Sequence, residues 1–517
     1  MAIRVVSGGP AWDVNNASPI PSPLMRLIGL KLSTTPSAGA SSALNLNWDK
    51  IDWAPIESNV KRLQMRIAKA TKEGRYGKVK ALQWLLTHSL GAKLFAVKRV
   101  TENKGGKTPG VDGKTWTKGK DKVKGAISLQ RHGYKVEPLR RVYIPKKNGK
   151  QRPLGIPTIR SRAMQALHLL GLEPVTESLA DKNSYGFRIG RSCADAIEQC
   201  FKIFCRKSSA KWVLEGDIKS CFDKISHEWL LGDIPMDREI LEKWLKSGYI
   251  DQGKFHETGE GTPQGGIISP SLLNLTMRGF EAEIKKATGS RDLVNVVVYA
   301  DDFIVSARSK EILETKVKPA ISKFLSERGL TLSEEKTLIT HIDQGFDFLG
   351  FNVRRYEDKL LIKPAKKSVK SFLDTFRDCV ASNQTAKTEN LINILNPKIM
   401  GWANYYRSVV SKKTFSYVDH QIFWCLWRWA KRRHSGKSKD WIWGKYFKGT
   451  FKTKNILKTR TPVGELALLA KAASVPIVRH IKIKSDANPF DPKYQEYLAK
   501  LKTARKQERQ AVLETHW

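Results

Sequence analysis

An α+β fold is predicted for this chain of 517 residues, with a small antiparallel sheet backed by helices and a helical region after it. Two short β-branched runs, 294–298 and 303–305, flank Tyr299-Ala-Asp-Asp302, the pattern of a strand, a tight turn and a second strand. Short strand and helix patterns alternate from about residue 100 to 355, consistent with a split βαβ arrangement.

The N-terminal part begins with residues 1–45, which are rich in Ser, Ala, Pro and Gly and are predicted to be a flexible leader. Apolar side chains then recur at helical spacing among many lysines and arginines, at Val60, Leu63, Ile67, Val79, Leu82 and Leu86. This pattern predicts basic helices, although any one lysine there can belong to a plain solvated face.

A charged hairpin is predicted around Asn148-Gly149, a strong turn signal. Lys146 and Arg152 stand on either side of this turn. Arginine can hold a phosphate through two hydrogen bonds, and lysine acts on it as a point charge. A solvated hairpin is the alternative, above all for Lys147 and Lys150.

Three carboxylates are the residues that best indicate the chemistry of this chain. Asp217 ends an apolar strand pattern that begins at Trp212, and Asp301 and Asp302 sit at the predicted turn. Adjacent carboxylates repel each other, so a fold that fixes them together usually does so for a cation. Mg²⁺ suits such a site because it takes few protein oxygens and completes its shell with waters and phosphate oxygens.

Two such ions, roughly 3.5–4 Å apart, can stabilise the attacking and leaving oxygens of an in-line displacement at phosphorus. We expect Asp217 and Asp301 to bridge two Mg²⁺ ions, with Asp302 in support. The alternatives are a strand-end acid at Asp217 and a solvated turn at the other two. Asp223 is interpreted as a cap or surface acid.

A glycine- and proline-rich loop, Gly261-Thr-Pro-Gln-Gly-Gly266, lies between the acids, and its backbone can approach a ligand closely. The order of acid, Pro-Gln-Gly loop and Tyr-x-Asp-Asp is hard to obtain by chance. Further motifs are Lys107-Thr-Pro-Gly-Val-Asp-Gly113, 141–157, Ser184-Tyr-Gly-Phe-Arg-Ile-Gly-Arg-Ser192, 329–337, Phe346-Asp-Phe-Leu-Gly350 and 395–405.

Through these motifs the chain, from about Trp48 to about Pro492, resembles the reverse transcriptases (maturases) encoded by bacterial group II introns, in the chloroplast-like lineage. The motif at 395–405 is specific to the maturase domain. The resemblance implies a right-hand polymerase with fingers and palm, an α-helical thumb or maturase domain X, and a small basic DNA-binding region. Ile189 departs from the family pattern, where proline is expected, and bears on loop rigidity.

The domains implied by this resemblance follow the chain in order. They are the leader 1–45, an N-terminal extension with the start of the fingers at 46–113, a fingers and palm core at 114–355, the thumb or domain X at 360–450, and a DNA-binding region at 451–517. Paired Cys-x-x-Cys motifs of an HNH endonuclease are absent from the sequence, so target-strand cleavage is not predicted.

The resemblance also implies a deoxynucleotide site. Phe222 would lie under the incoming sugar and exclude a ribose 2′-hydroxyl, with a core aromatic as the alternative. Gln264 would contact the nucleotide or template, and Lys336 would protonate the leaving pyrophosphate unless it is an exposed helix lysine. Lys146 and Arg152 would clamp the triphosphate.

Basic residues in the family motifs and after Gly350 are predicted to contact RNA or DNA. In the run 423–434, aromatics alternate with cations, which can stack on bases and neutralise phosphates. Trp424, Trp427 and Trp429 are nevertheless expected mainly to pack the helix core. The predicted nucleic-acid contacts are Arg188, Arg191, Lys366, Lys367, Lys431, Arg432, Arg433, Arg479, Lys482 and Lys484.

The charge of the chain agrees with nucleic-acid binding. It has 91 Lys and Arg against 50 Asp and Glu, a formal net charge of +41. A polyanion is the natural partner of such an excess, and binding should weaken steeply with salt. No apolar run approaches the roughly 20 residues that span a bilayer. Six cysteines without a Cys-x-x-Cys pair argue against zinc, and a cytoplasmic location is expected.

The predicted function is RNA-directed DNA synthesis by a protein that binds group II intron RNA, assists its splicing and copies it during retrohoming. Its partners would be the intron RNA, an RNA template with a DNA primer, deoxynucleotides and target DNA. The alternatives are an RNA-folding cofactor without polymerase activity, and a reverse transcriptase repurposed for defence or repair.

Overall fold

The computed structural model describes residues 46–145, 149, 151–262, 265–449, 455–460 and 464–514. The predicted flexible leader, residues 1–45, lies outside the described residues. Within them, no helix combines the length and apolar character needed to cross a membrane.

Helices make up about half of the described chain. The first nine are α1 Trp53–Lys72, α2 Tyr76–His88, α3 Leu90–Thr101, α4 Gly119–Ile127, α5 Ile159–Leu179, α6 Cys193–Phe204, α7 Cys221–Lys224, α8 His227–Asp233 and α9 Arg238–Leu245. The next nine are α10 Ser269–Thr276, α11 Phe280–Lys286, α12 Lys310–Ile312, α13 Lys318–Ser326, α14 Lys366–Ala381, α15 Thr388–Tyr406, α16 Lys412–Arg433, α17 Lys439–Tyr446 and α18 Gln495–Glu514.

The strands are short. They are β1 Leu139–Pro145, β2 Gln151–Ile156, β3 Trp212–Asp217, β4 Tyr249–Asp251, β5 Lys254–His256, β6 Asn295–Tyr299, β7 Asp302–Ala307, β8 Leu338–His341, β9 Phe346–Phe348, β10 Phe351–Tyr356, β11 Lys359–Pro364, β12 Lys458–Arg460 and β13 Leu466–Leu468. Their orders in the sheets are β2-β1-β4-β5, β6-β7-β3-β8, β11-β10-β9 and β12-β13. The α+β class predicted from the sequence is therefore confirmed.

The sheet β6-β7-β3-β8 is the centre of the molecule, and all its pairings are antiparallel. Side chains alternate between its faces. Leu214 and Phe303 point into a core shared with the N-terminal helices. Val213 and Ile304 point into a second core shared with β9–β11 and the helices after them. Because described residues cover both faces, the sheet is accessible to a ligand at its end.

The hairpin β6–β7 is the element that the sequence predicts best. Its strands cover the two β-branched runs, and Tyr299 pairs with Asp302 across a turn of two residues. Ala300 in this turn has a φ of 59°, in the left-handed region that a β-branched side chain would not tolerate. The prediction of strand, tight turn and strand is confirmed.

The predicted N-terminal helices are also confirmed, as α1 and α2. Val60 and Ile67 of α1, and Val79, Leu82 and Leu86 of α2, are buried in the first core. These apolar side chains pack while the lysines between them remain at the surface, which is the amphipathic arrangement expected from their spacing.

The C-terminal half contains a proline at the end of a strand, and one departure from the predictions, in α16. Lys363 and Pro364 close strand β11, and α14 begins only at Lys366. Proline is tolerated there because β11 is an edge strand of its sheet. In α16, Trp429 is buried, with 4% exposure, but Trp424 is 44% exposed and donates to the His420 ring, so the core interpretation is wrong for Trp424.

The C-terminal segment, residues 480–505, is anchored to the rest of the protein by Asp195. This residue is a fully buried carboxylate in the first turn of α6. Its Oδ2 accepts hydrogen bonds from the backbone and hydroxyl of Ser192, at 2.9 and 2.7 Å. Its Oδ1 accepts from the Ile483 amide at 2.8 Å and from Arg505 at 2.6 Å, and lies 2.9 Å from the His480 ring. Burial alone would raise the pKa of Asp195, but these donors lower it to about 2.

We expect Arg505→Ala to release this segment locally. Arg505 also donates to the carbonyls of Gly190 and Ile481, at 3.0 and 2.8 Å, so its loss leaves a buried carboxylate with fewer donors. The free energy of local opening should fall by about 2 kcal/mol, measured by amide hydrogen exchange over residues 480–505. Lys500→Ala is the matched control on the same helix, since its ion pair with Glu496 is solvent-exposed. Equal exchange in the two variants would contradict this role.

Candidate active site

Strand pairing brings the three predicted acids together. Asp217, the last residue of β3, is the register partner of Asp302, the first residue of β7. Asp301 occupies the turn immediately before Asp302. The open end of the central sheet therefore carries three carboxylates from two segments that are 84 residues apart (217 to 301) in the sequence.

The electrostatics of these carboxylates are unfavourable without a cation. Desolvation and then the charge of Asp217 raise the pKa of Asp301. Desolvation, then repulsion from Asp301 and Asp217, raise the pKa of Asp302 to about 6. The Lys336 ammonium donates to Oδ2 of Asp217 at 2.7 Å, and this hydrogen bond raises the pKa of Lys336. A lysine thus supplies positive charge at a site that has an excess of negative charge.

The donor set fits a hard divalent ion. All three side chains offer carboxylate oxygens, which Mg²⁺ prefers, and their mutual repulsion is relieved by positive charge. Among the described residues, no three His, Cys, Asp or Glu side chains form a ready-made metal cage. Lys336 occupies one carboxylate oxygen of Asp217, Oδ2.

The turn of the hairpin is held from behind by residues 183–186. The Tyr185 amide donates to the Val298 carbonyl at 2.9 Å, and the Val298 amide donates to the Asn183 carbonyl at 3.0 Å. Gly186 then lies directly against Ala300, since a Cβ on Gly186 would collide with the Ala300 nitrogen and lie 2.9 Å from the Tyr299 carbonyl carbon. The motif that begins at Ser184 therefore positions the turn that carries Ala300 and Asp301, and Gly186 is the residue of the motif that makes this close contact possible.

A second glycine allows the strands beneath the site to pair. Gly216, next to Asp217 on β3, is the register partner of Phe303. A Cβ on Gly216 would overlap the Phe303 ring, which packs edge-on against Phe280 at 4.9 Å. The absence of a side chain at Gly216 lets an aromatic ring support the strand that carries Asp302.

The structure describes three of the five residues predicted to contact the nucleotide. Lys146 and Gln264 lie outside the described residues. Arg152 is exposed on β2, and its charge lowers the pKa of Asp301. Phe222 is half-buried at the start of α7, and its ring lies edge-on to Phe187, with 6.3 Å between centroids. Lys336 belongs to a turn and not to a helix, with its side chain 65% exposed.

The described residues of the glycine-rich loop pack between helices α7 and α5. The Gly261 amide donates to the Ile225 carbonyl at 2.8 Å, and the Thr262 amide donates to the Phe222 carbonyl at 2.6 Å. Gly261 has a φ of 83°, and a Cβ there would meet the backbone of Asp223. On the other side, the Ile267 amide donates to the Gln165 side chain at 3.0 Å. The loop thus fixes the backbone around Phe222, while Asp223 is an exposed acid.

The structure corrects the nucleic-acid contact predicted for Arg188. Its side chain is 2% exposed and pairs with Glu177 at 2.9 Å. It also donates to the carbonyls of Asp181 and Ser184, at 2.9 and 3.0 Å. Because the guanidinium is buried and has internal acceptors, Arg188 stabilises the loop that ends at Gly186.

Arg191 and Lys482 are likewise engaged inside the protein. Arg191 donates to the Ser485 carbonyl at 2.8 Å, and burial lowers its pKa to about 10. Lys482 donates to the Tyr185 hydroxyl at 3.1 Å and to the Ser485 hydroxyl at 2.9 Å, and burial lowers its pKa to about 8. Both predicted nucleic-acid contacts are therefore corrected to contacts that fasten the C-terminal segment.

The other predicted nucleic-acid residues lie at the surface. Arg433 donates to the Ala386 carbonyl at 2.6 Å, and Arg479 pairs with Glu198 at 3.1 Å, so these two have partners within the protein. Lys484 is exposed, with its ammonium 4.8 Å from the centroid of the Tyr497 ring. The side chains of Lys366, Lys367, Lys431 and Arg432 are exposed as well. Lys366 and Lys367 begin α14, and Lys431 and Arg432 end α16.

Sequence reasoning missed one cluster beside the acids. Burial, reinforced by the neighbouring Cys193 at the start of α6, raises the pKa of both Tyr299 and Tyr405. Tyr405 also donates to the Leu349 carbonyl at 2.9 Å. The cluster joins the strand before the catalytic turn to helix α15. No local pattern signals it, because its members are more than 100 residues apart.

The geometry and the sequence comparisons agree. Residues 144–353 match the family described as reverse transcriptase (RNA-dependent DNA polymerase), and residues 48–129 match the N-terminal domain of reverse transcriptase. Residues 369–447 match the group II intron, maturase-specific domain. A central antiparallel sheet with three carboxylates at its end, in a chain with these matches, defines an RNA-directed DNA polymerase.

Similar proteins show to which family of RNA-directed DNA polymerases this chain belongs. The group II intron-encoded protein LtrA of Lactococcus lactis is 28% identical over 440 residues, covering 66% of this chain and 73% of its own. Protein YkfC of Escherichia coli is 33% identical over 300 residues, covering 50% of this chain and 79% of its own. This chain belongs to the family of group II intron-encoded reverse transcriptases. A telomerase structure from Candida albicans overlaps 60% of this chain and 64% of its own, at 13% identity and a TM-score of 0.36.

We expect Gly186→Ala to reduce primer extension on an RNA template by about 100-fold, because the new methyl group must displace the backbone of the catalytic turn by a fraction of an ångström or more. Gly77→Ala, in helix α2, is the control, since a Cβ there meets nothing within 4 Å. Thermal unfolding should show that both variants fold. Wild-type activity in folded Gly186→Ala would contradict the positioning role of this contact.

Proposed function

We propose that this protein is an RNA-directed DNA polymerase that binds a group II intron RNA, assists its splicing and copies it into DNA during retrohoming. The observation that carries the proposal is the pairing of Asp217 with Asp302, with Asp301 between the strands, in a chain that also matches the maturase-specific domain. A protein that only helped RNA to fold would have no use for three clustered carboxylates, two of which, Asp301 and Asp302, have pKa values raised by desolvation and by repulsion from their neighbours.

Asp217, Asp301 and Asp302 would hold two Mg²⁺ ions. When bound, these ions lower the pKa of the primer 3′-hydroxyl and neutralise the triphosphate. Lys336 gives up its hydrogen bond with Asp217, and its ammonium is then free to protonate the leaving pyrophosphate. Arg152, whose charge already acts on Asp301, pairs with phosphate oxygens of the incoming nucleotide. Lys146 and Gln264 are proposed to complete the nucleotide site.

Phe222 is proposed to select deoxynucleotides. Its ring is half-buried, and its carbonyl is fixed by the Thr262 amide, so the ring cannot easily move away from a bulkier sugar. A ribose 2′-hydroxyl pressed against this ring would lose hydrogen bonds to water without gaining others, which disfavours ribonucleotides.

The intron RNA is proposed to bind the exposed basic helix ends. Lys366 and Lys367 at the start of α14, and Lys431 and Arg432 at the end of α16, lie within or beside the segment that matches the maturase-specific domain. Lys484 is proposed to contact target DNA. We also propose the division into a leader 1–45, an extension 46–113, a fingers and palm core 114–355, a thumb 360–450 and a DNA-binding region 451–517.

We expect Asp301→Asn and Asp302→Asn each to lower primer extension on an RNA template by at least about 1000-fold, because each change removes a charge that the reaction requires. Asp358→Asn is the control, since this acid forms an exposed ion pair with Lys207. Intron RNA binding, measured at high salt, should be unchanged in all three variants. Extension by folded Asp301→Asn and Asp302→Asn at the wild-type rate would refute the assigned site.

A further inference from the structure

Phe187 combines two unfavourable features beside the acids. Its side chain is 53% exposed, and its backbone has a φ of 56°, in the left-handed region. An exposed aromatic alone is ordinary, but a bulky side chain at positive φ is an outlier that the surrounding structure must enforce. Glycine or asparagine would adopt this backbone with less strain.

The neighbours of Phe187 explain how its ring is held outward. Tyr185 is fully buried, Gly186 lies against Ala300, and Arg188 is buried in its ion pair with Glu177. With the residues on both sides anchored inward, the chain can only turn the Phe187 side chain towards solvent.

The outward direction of the Phe187 ring brings it into contact with the Phe222 ring. The two rings are edge-on, at 6.3 Å between centroids and 71° between planes. Phe222 is the residue proposed to lie under the incoming sugar, so the exposed Phe187 ring stands at the rim of the same site. An edge-on aromatic pair also restricts the orientation of the second ring.

We propose that Phe187 is a specificity-determining residue, a second aromatic wall that contacts the sugar of the deoxynucleotide being added and holds the Phe222 ring edge-on. The C–H face of a deoxyribose packs on an apolar ring, whereas a ribose hydroxyl there is desolvated without a partner. This inference rests on the proposed function, because it assigns a substrate contact in the proposed nucleotide site.

The test compares Phe187→Ala, Phe187→Gly and Phe187→Tyr in steady-state primer extension with single deoxynucleotides and ribonucleotides. Alanine and glycine should raise the deoxynucleotide KM about three- to tenfold and relax discrimination against ribonucleotides by a similar factor, whereas tyrosine should behave as the wild type. Tyr417→Ala, which removes a comparably exposed aromatic from α16, should change neither quantity.

The glycine variant separates the ring from the backbone. If the strained conformation has only a structural role, Phe187→Gly should be active and discriminating even where Phe187→Ala is not, and the proposal is overturned. Unchanged KM and discrimination in both variants would also overturn it. Loss of discrimination in both, with Phe187→Gly at least as thermally stable as Phe187→Ala, supports the proposal.

Phe222→Ala distinguishes this inference from the proposed function. A folded wild-type protein that does not extend a primer refutes the proposed function. A wild-type protein that extends, with Phe222→Ala admitting ribonucleotides and the Phe187 variants unchanged, refutes only the role of Phe187. The double variant should be less impaired than the product of the single effects, because the two rings act through one contact.

Discussion

Repulsion among Asp217, Asp301 and Asp302 is the constraint on which this structure depends. Three carboxylates converge only because the β3–β7 register fixes two of them opposite each other and a two-residue turn supplies the third. Left to itself, such a group would spread apart or take up protons. The surrounding fold prevents this by covering both faces of the sheet with apolar cores and by placing Lys336 on Asp217.

Small residues make this arrangement possible. Gly216 lets the Phe303 ring lie beneath β3, and Gly186 lets the preceding loop touch the turn at Ala300. That loop is in turn fastened by Arg188 and Glu177, and by the C-terminal segment through Asp195. Much of the positive charge near the acids therefore stabilises the protein, while the remaining cations at the helix ends are free for a polyanion.

The sequence predicted local features well and distant ones poorly. The β6–β7 hairpin followed from its β-branched strands, and α1 and α2 from apolar spacing. The pairing of Asp217 with Asp302 depends on contacts between distant segments. The sequence suggested that the three acids share a site, but not the strand register that joins them. Arg188, Arg191 and Lys482 were assigned to nucleic acid because the chain is strongly basic, but internal acceptors, some of them about 290 residues away, occupy these side chains.

The link between Arg505 and the carbonyl of Gly190 spans 315 residues. During synthesis, the loop that supports the turn at Ala300 therefore lacks this contact until residue 505 has left the ribosome. A nascent chain can form the central sheet earlier, since β3 to β8 lie within residues 212–341. Completion of the site is thus expected to follow synthesis of α18, so that a chain terminated before Arg505 has its acids in place and their support unfinished.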